Sequence, residues 1–133
     1  MAIFVDSSVL LDVFTEDPRW FGWSSTMLAK CASEDTLVLD AIVYAEIAPR
    51  FATIEELEEA LDPLGYELRP LSREAAFLAA KAFVDYRKHG GPRTRILPDF
   101  LIGAHAAVEG LPLLTRDPGR VKTYFPSVQM ICP

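Results

Sequence analysis

The chain has 133 residues, 50% of them hydrophobic and 24% charged, which is the composition of one globular domain and excludes a disordered protein. No uninterrupted apolar run approaches the roughly 20 residues that a membrane span needs, and the N-terminus has no basic region ahead of an apolar stretch. We therefore expect residues 1–133 to form a single domain of a cytoplasmic protein without membrane association. The net charge of −6 argues, taken alone, against nucleic acid as a partner, because phosphate binding usually needs a basic surface.

Short apolar β-type runs alternate with helical patterns along the chain. The runs predicted to be strands are residues 3–5, 36–39, 66–68, 113–115 and 128–131. The patterns predicted to be helices cover roughly residues 7–15, 20–33, 41–50, 53–62, 72–88 and 98–109. Short, nearly continuous apolar strands separated by helices are typical of a parallel sheet that is covered on both faces. The predicted class is therefore α/β, with one open, mostly parallel sheet and helices on both of its faces.

Two stretches are too apolar for an ordinary solvated surface. They are residues 20–23, which contain two tryptophans, and the helical segment 75–84, which is apolar on nearly all sides. A helix of that kind is buried on more than one side. The sequence leaves two interpretations open, an ordinary core helix and a protein–protein interface.

Four acidic residues lie where a doubly wound sheet places its ligands, outside the carboxyl ends of the strands. Asp6 directly follows the first predicted strand, and Asp117 comes two residues after the fourth. Asp99 is in the first turn of the helix that leads into the fourth strand, and Glu46 is in the helix after the second. Taken singly, each also fits a helix cap, a dipole interaction, a turn or a surface position.

Asp40, at the end of the second predicted strand, is the main competitor of Glu46. It is nearer the strand end, but it also fits as the N-cap of the following helix. We favour Glu46 as the member of the acidic set.

If the four acids converge, they need a counter-ion. Two carboxylates about 4 Å apart repel each other by roughly 4 kcal/mol at an effective dielectric constant near 20. A site made of carboxylate oxygens, without His or Cys, suits Mg²⁺ or Mn²⁺. Such ions activate water and stabilise the oxygens that attack and leave in phosphodiester cleavage. A loaded acidic pocket would therefore attract phosphate, which answers the objection from net charge.

Several stretches of the sequence resemble the PIN-domain nucleases, and in particular the VapC-type toxins of toxin–antitoxin pairs. They are residues 5–12, Glu46 with the three residues before it, residues 98–106 and residues 114–119. The resemblance implies a five-stranded sheet of order 3-2-1-4-5 and an endoribonuclease that depends on Mg²⁺ or Mn²⁺. It identifies Asp6, Glu46, Asp99 and Asp117 with the acidic quartet of the family, supported by Thr115 and Ser7. It also implies a homodimer that a cognate antitoxin protein silences.

The most basic stretch of the chain is a Gly-rich segment just before Asp99. We expect Arg93 and Arg95 in it to hold RNA phosphates, with Arg116 and Arg120 as secondary candidates on the other side of Asp117. The alternative is a solvated loop between helices.

Other functions fit the sequence less well than a nuclease. A receiver-like, Mg²⁺-binding domain would have an acidic pair after the first strand and a Lys ending the fifth, and both features are absent. A metal-free mechanism with two histidines would need His89 and His105 to meet, which nothing in the sequence suggests. A PIN-like domain that only binds a partner would have no reason to keep four mutually repelling carboxylates.

Overall fold

A computed structural model of the protein describes residues 1–92 and 96–133. Five strands form one sheet: β1 (Ala2–Val5), β2 (Thr36–Leu39), β3 (Glu67–Leu68), β4 (Leu113–Leu114) and β5 (Met130–Ile131). The α-helices of the described residues are α1 (Ser7–Phe14), α2 (Phe21–Glu34), α3 (Ala41–Ile47), α4 (Ile54–Leu61), α5 (Arg73–Lys88), α6 (Pro98–Glu109) and α7 (Gly119–Tyr124).

The sheet has the order β3-β2-β1-β4-β5, and every neighbouring pair is parallel. This confirms the predicted α/β class and the predicted strand order. The chain builds outward from β1 in one direction, to β2 and β3, and then returns to the other side of β1 for β4 and β5. The strand order therefore reverses between β1 and β4, which lie side by side with Val5 opposite Leu114.

Helix boundaries differ from the sequence prediction where prolines intervene. The predicted helix 41–50 is α-helical only to Ile47 and continues as a 3₁₀ turn, Ala48–Arg50, because Pro49 has no N–H to donate to the preceding turn. The predicted helix 53–62 likewise gives way to a 3₁₀ turn at Asp62–Leu64, which contains Pro63. Helix α7 was not predicted from the sequence, because its six residues include several weak helix formers.

The core lies between the sheet and its helices. The side chains of β1, β2 and β4 are almost all buried, and α5 packs along α6, which in turn contacts α3 and α7. The apolar segment 75–84 divides into two faces. Ala75, Ala79 and Phe83 are buried in the core, whereas Phe77 remains 66% exposed and Val84 46% exposed.

Within residues 1–92 and 96–133, no helix combines the length and the apolar character that crossing a membrane demands.

Candidate functional site

The switch point of the sheet, where strand order reverses between β1 and β4, brings the ends of these two strands together. Asp6 follows β1, and its backbone N–H donates to the carbonyl oxygen of Leu114 at 2.9 Å. Thr115 follows Leu114 and is buried. The carboxyl ends of these two strands therefore form one edge, where α1 begins at Ser7.

The carboxylate of Asp6 is the centre of this edge. Its Oδ2 accepts hydrogen bonds from the hydroxyls of Ser8 and Thr115, each at 2.7 Å. Burial raises the pKa of Asp6 above its ordinary value, and the negative charge of Asp99 adds to this, although the two hydroxyls oppose it. Ionising Asp6 therefore costs free energy, and a nearby cation would offset that cost.

Glu46 is the second acid at this edge. It projects from α3, is half-buried, and its Oε1 accepts a hydrogen bond from the Ser7 hydroxyl at 2.8 Å. Burial raises the pKa of Glu46, and the charges of Asp6 and Asp99 raise it further against the effect of Ser7. The charge of Asp40 raises the pKa of Glu46 as well, so acids that are far apart in the sequence act on Glu46 in the fold.

Asp40, the competitor of Glu46, has both oxygens engaged inside the core. Its Oδ1 accepts from the backbone N–H of Val43 at 2.9 Å, which makes it the N-cap of α3. Its Oδ2 lies 2.8 Å from Nδ1 of the fully buried His105. Asp40 is thus a buried cap of the helix that carries Glu46, and the choice of Glu46 over Asp40 stays a prediction.

Asp99 lies in the first turn of α6, after Pro98. Its side chain is 47% exposed, and its Oδ2 accepts from Nη1 of Arg120 at 2.8 Å. The Arg120 guanidinium also lies over the rings of Tyr86 and Phe100, at 5.3 and 6.0 Å from their centroids. The structure therefore gives this acid a cationic partner from α7, the helix that the sequence analysis missed.

Asp117 is exposed on the loop between β4 and α7. Its backbone N–H donates to Oγ1 of Thr115 at 3.0 Å, and the same hydroxyl donates to Asp6. The Thr115 hydroxyl thus connects the backbone at Asp117 to the carboxylate of Asp6. Both predicted supporting residues, Ser7 and Thr115, contact an acid of the set directly.

Arg116 reaches into the protein. Its Nε and Nη2 donate to the two carboxylate oxygens of Asp12 at 3.0 and 2.9 Å, and Asp12 is only 2% exposed. Contact of Arg116 with RNA stays a prediction, because in this structure its guanidinium forms hydrogen bonds with the Asp12 carboxylate. The sequence analysis missed the role of Asp12, although an acid between the apolar residues of a short helix was a usable signal.

The two remaining RNA-binding candidates, Arg93 and Arg95, lie outside the described residues.

The donor set fits a hard divalent cation in its chemistry. It consists of carboxylate oxygens with hydroxyl neighbours, and two of the carboxylates have raised pKa values. As placed, no three His, Cys, Asp or Glu side chains of residues 1–92 and 96–133 stand close enough to enclose a metal ion. Asp99 contacts Arg120, and Glu46 contacts Ser7.

The fold defines the class: an open parallel α/β sheet in which strand order reverses between β1 and β4. Asp6 follows β1, Glu46 lies on α3 and Asp99 on α6. The chain belongs to the PIN domain family, whose sequence model matches residues 3–125. Comparison with curated protein sequences gave no significant match.

Several solved structures are similar to the whole chain. VapBC2 from Rickettsia felis, bound to a DNA fragment from its promoter, superposes with a TM-score of 0.73 at 19% identity, covering 100% of this chain and 99% of that one. VapBC-1 from nontypeable Haemophilus influenzae gives 0.72 at 19% identity, with 99% and 98% covered. VapBC-5 from Mycobacterium tuberculosis, of the VapBC family of toxin–antitoxin systems, gives 0.60 at 24%, with 99% and 98% covered. At these identities the likeness shows a shared fold.

Proposed function

We propose that the protein is an endoribonuclease that depends on Mg²⁺ or Mn²⁺ and acts as the toxin of a toxin–antitoxin pair. The observation that carries the proposal is geometric: Asp6 accepts a hydrogen bond from Thr115, and Glu46 accepts one from Ser7 at the start of α1. Both acids therefore lie at the edge where β1 and β4 end, and the charge of Asp99 acts on both. Buried or half-buried carboxylates that repel each other make a favourable site for divalent cations.

Each residue has a defined part in this proposal. Asp6, Glu46 and Asp99 hold the cation, and Asp117 completes the site or orients water. The hydroxyls of Ser7 and Thr115 fix the rotamers of the carboxylates that they contact. A divalent cation bound there supplies an activated water and stabilises the charge that develops on the phosphodiester oxygens.

RNA is the proposed substrate, with Arg93 and Arg95 as phosphate contacts in the basic stretch that precedes Asp99. The acidic net charge does not oppose this, because the loaded cation changes the sign of the local field. Changing both arginines should weaken RNA binding and flatten its dependence on salt concentration.

A cognate antitoxin and a second copy of the chain are the proposed protein partners, in the cytoplasm. The support for an antitoxin is that the structures similar over the full chain are VapBC complexes, one of them with its promoter DNA. The exposed Phe77 and Val84 on α5 are apolar surface of the kind that protein interfaces cover.

The test is cleavage of end-labelled tRNA and rRNA by the purified chain in Mg²⁺, in Mn²⁺ and in EDTA. We expect cuts with either cation, none in EDTA, and none from Asp6→Asn or Asp99→Asn. Asp62→Asn, an exposed acid on another surface, is the matched control and should cut like the wild type. Cleavage by Asp99→Asn at the wild-type rate would refute the assignment, and Mn²⁺ binding without any cleavage would indicate a non-catalytic domain.

A further inference from the structure

The contact between Asp12 and Arg116 is the most buried ionic contact of the β4–α7 loop. Arg116 donates to both oxygens of Asp12, and Asp12 also accepts from the buried hydroxyl of Ser24 at 2.8 Å. A buried ion pair gives little net stability, because desolvation offsets the attraction between its charges. The best-attested effect of such a pair is to fix one arrangement of the segments that it joins, here α1 and the β4–α7 loop.

Arg116 forms hydrogen bonds with two residues of α1. Its backbone N–H donates to Oγ of Ser8 at 3.2 Å, while its side chain holds Asp12, one helical turn further along. Residues four apart lie on the same face of a helix, so the backbone and the side chain of Arg116 together contact one face of α1 over a full turn. The position of this residue of the loop relative to α1 is thereby fixed at two points.

The contact with Ser8 connects Arg116 to the acidic site. The Ser8 hydroxyl that accepts from Arg116 donates to Oδ2 of Asp6. Residue 117, next along the loop, donates its backbone N–H to Thr115, which donates to the same oxygen of Asp6. Asp6 and Asp117 are therefore both positioned by a loop whose anchor is Asp12.

We propose that Asp12 and Arg116 are positioning residues, which hold the β4–α7 loop against α1 and so orient Asp6 and Asp117 for cation binding. This inference rests on the proposed function. It also reassigns Arg116 from contact with RNA to an internal role. The two roles predict different defects when Arg116 is changed.

The first experiment measures Mn²⁺ affinity by calorimetry for the wild type, Arg116→Gln, Arg116→Lys and Ser24→Ala. We expect Arg116→Gln to weaken the affinity about tenfold, and Arg116→Lys, which keeps the charge but loses the two-point contact, to fall between it and the wild type. Ser24→Ala is the matched control, since it removes a buried bond of Asp12 without releasing Arg116. It should lower the melting temperature and leave the Mn²⁺ affinity within twofold of the wild type.

A double-mutant cycle tests the route through Ser8. If Arg116 acts on Asp6 through the Ser8 hydroxyl, Arg116→Gln should weaken Mn²⁺ binding much less in a Ser8→Ala background than in the wild type. Effects that multiply independently would show that the two residues act by separate routes and would overturn the inference.

RNA cleavage separates positioning from substrate contact. For a positioning residue, excess Mn²⁺ should restore the kcat of Arg116→Gln, with the KM for RNA unchanged. A raised KM that Mn²⁺ does not correct would return Arg116 to the RNA interface and refute the inference.

The last measurement needs no metal. Amide hydrogen exchange at residues 116 and 117 should be at least tenfold faster in Arg116→Gln than in the wild type or Ser24→Ala, while β1 amides stay protected. If the wild type binds no Mn²⁺, the proposed function fails, and exchange still decides whether the pair holds the loop. Wild-type Mn²⁺ affinity together with wild-type exchange in Arg116→Gln would overturn the inference.

Discussion

Arg120 donates from Nη1 to Oδ2 of Asp99 at 2.8 Å and so pairs a carboxylate of the proposed metal site with a cation of the protein itself. The guanidinium is held near Tyr86 and Phe100 by cation–π contacts. The charge of Asp99 still raises the pKa of Asp6 and of Glu46 in the presence of Arg120. A divalent ion that binds Asp99 must compete with Arg120.

Changing Arg120→Gln should therefore strengthen divalent-cation binding. We expect Mn²⁺ affinity at low salt to rise by roughly two- to fivefold, since an exposed ion pair is worth up to about 1 kcal/mol. Calorimetric titration measures it, and Lys122→Gln, on the same helix, is the control for the lost surface charge. An affinity for Mn²⁺ that is unchanged or weaker in Arg120→Gln would show that Arg120 does not compete.

Removing the charge of Asp6 should stabilise the metal-free protein. Burial raises the pKa of Asp6, so its ionised form costs folding free energy above the unfolded pKa near 3.9, and the cost is complete above the folded pKa. Asp6→Asn should raise the melting temperature at pH 7.5 by about 2–6 °C, the shift produced by roughly 1 kcal/mol, and this gain should disappear at strongly acidic pH.

Mg²⁺ supplies the complementary measurement for Asp6. Saturating Mg²⁺ should raise the melting temperature of the wild type but not that of Asp6→Asn, because only the wild type binds the ion in its folded state. Asp62→Asn is the control, and a metal-free Asp6→Asn that melts below the wild type at pH 7.5 would contradict the prediction.

His105 should make the stability depend on pH. Burial by itself lowers its pKa, but the hydrogen bonds to Asp40 and Glu109 outweigh burial and raise the pKa above its ordinary value. The stabilisation is fully present below the unfolded pKa of about 6.5 and is lost as the pH rises through the folded pKa. We expect the unfolding free energy from urea titrations to fall over that range, by about 1.4 kcal/mol for each unit of difference between the two pKa values.

The two histidines of the chain provide the comparison. His105→Asn should remove most of this slope, whereas His89→Asn, at an exposed position, should keep it. A slope above pH 6.5 that survives in His105→Asn would assign it to another group.

Gly103 should not tolerate alanine. A Cβ at this position of α6 would stand 2.5 Å from Cδ2 and 2.8 Å from Cε2 of the Phe125 ring, so the ring or the helix must shift. Overpacking of this kind costs about 1–3 kcal/mol of unfolding free energy, which urea denaturation measures. Gly22→Ala is the control within α2, where a Cβ meets nothing within 4 Å, and it should stabilise by about 0.5–1 kcal/mol. Equal effects of the two changes would contradict this account.

The amino-acid sequence by itself determined the α/β class, the five strands and the places of Asp6, Glu46, Asp99 and Asp117 relative to them. Hydrophobic periodicity is a local property, and a residue directly after an apolar run lies at a strand end wherever that strand is placed in the sheet. Resemblance to a family added the strand order. The missed helix α7 shows the limit of local patterns, because its weak helix formers are held by packing against α6.

Tertiary structure alone decided which side chains face each other. Asp12 looked like one more helix residue, but the fold brings Arg116 to it across 104 positions of sequence. Arg120 reaches Asp99 only because α7 packs on α6, and Asp40 meets His105 only because α3 and α6 are in contact. Hydrogen bonds need contact, and charges interact mainly within a screening length of roughly 10 Å, so their partners are fixed by how the elements pack and not by the spacing of residues along the chain.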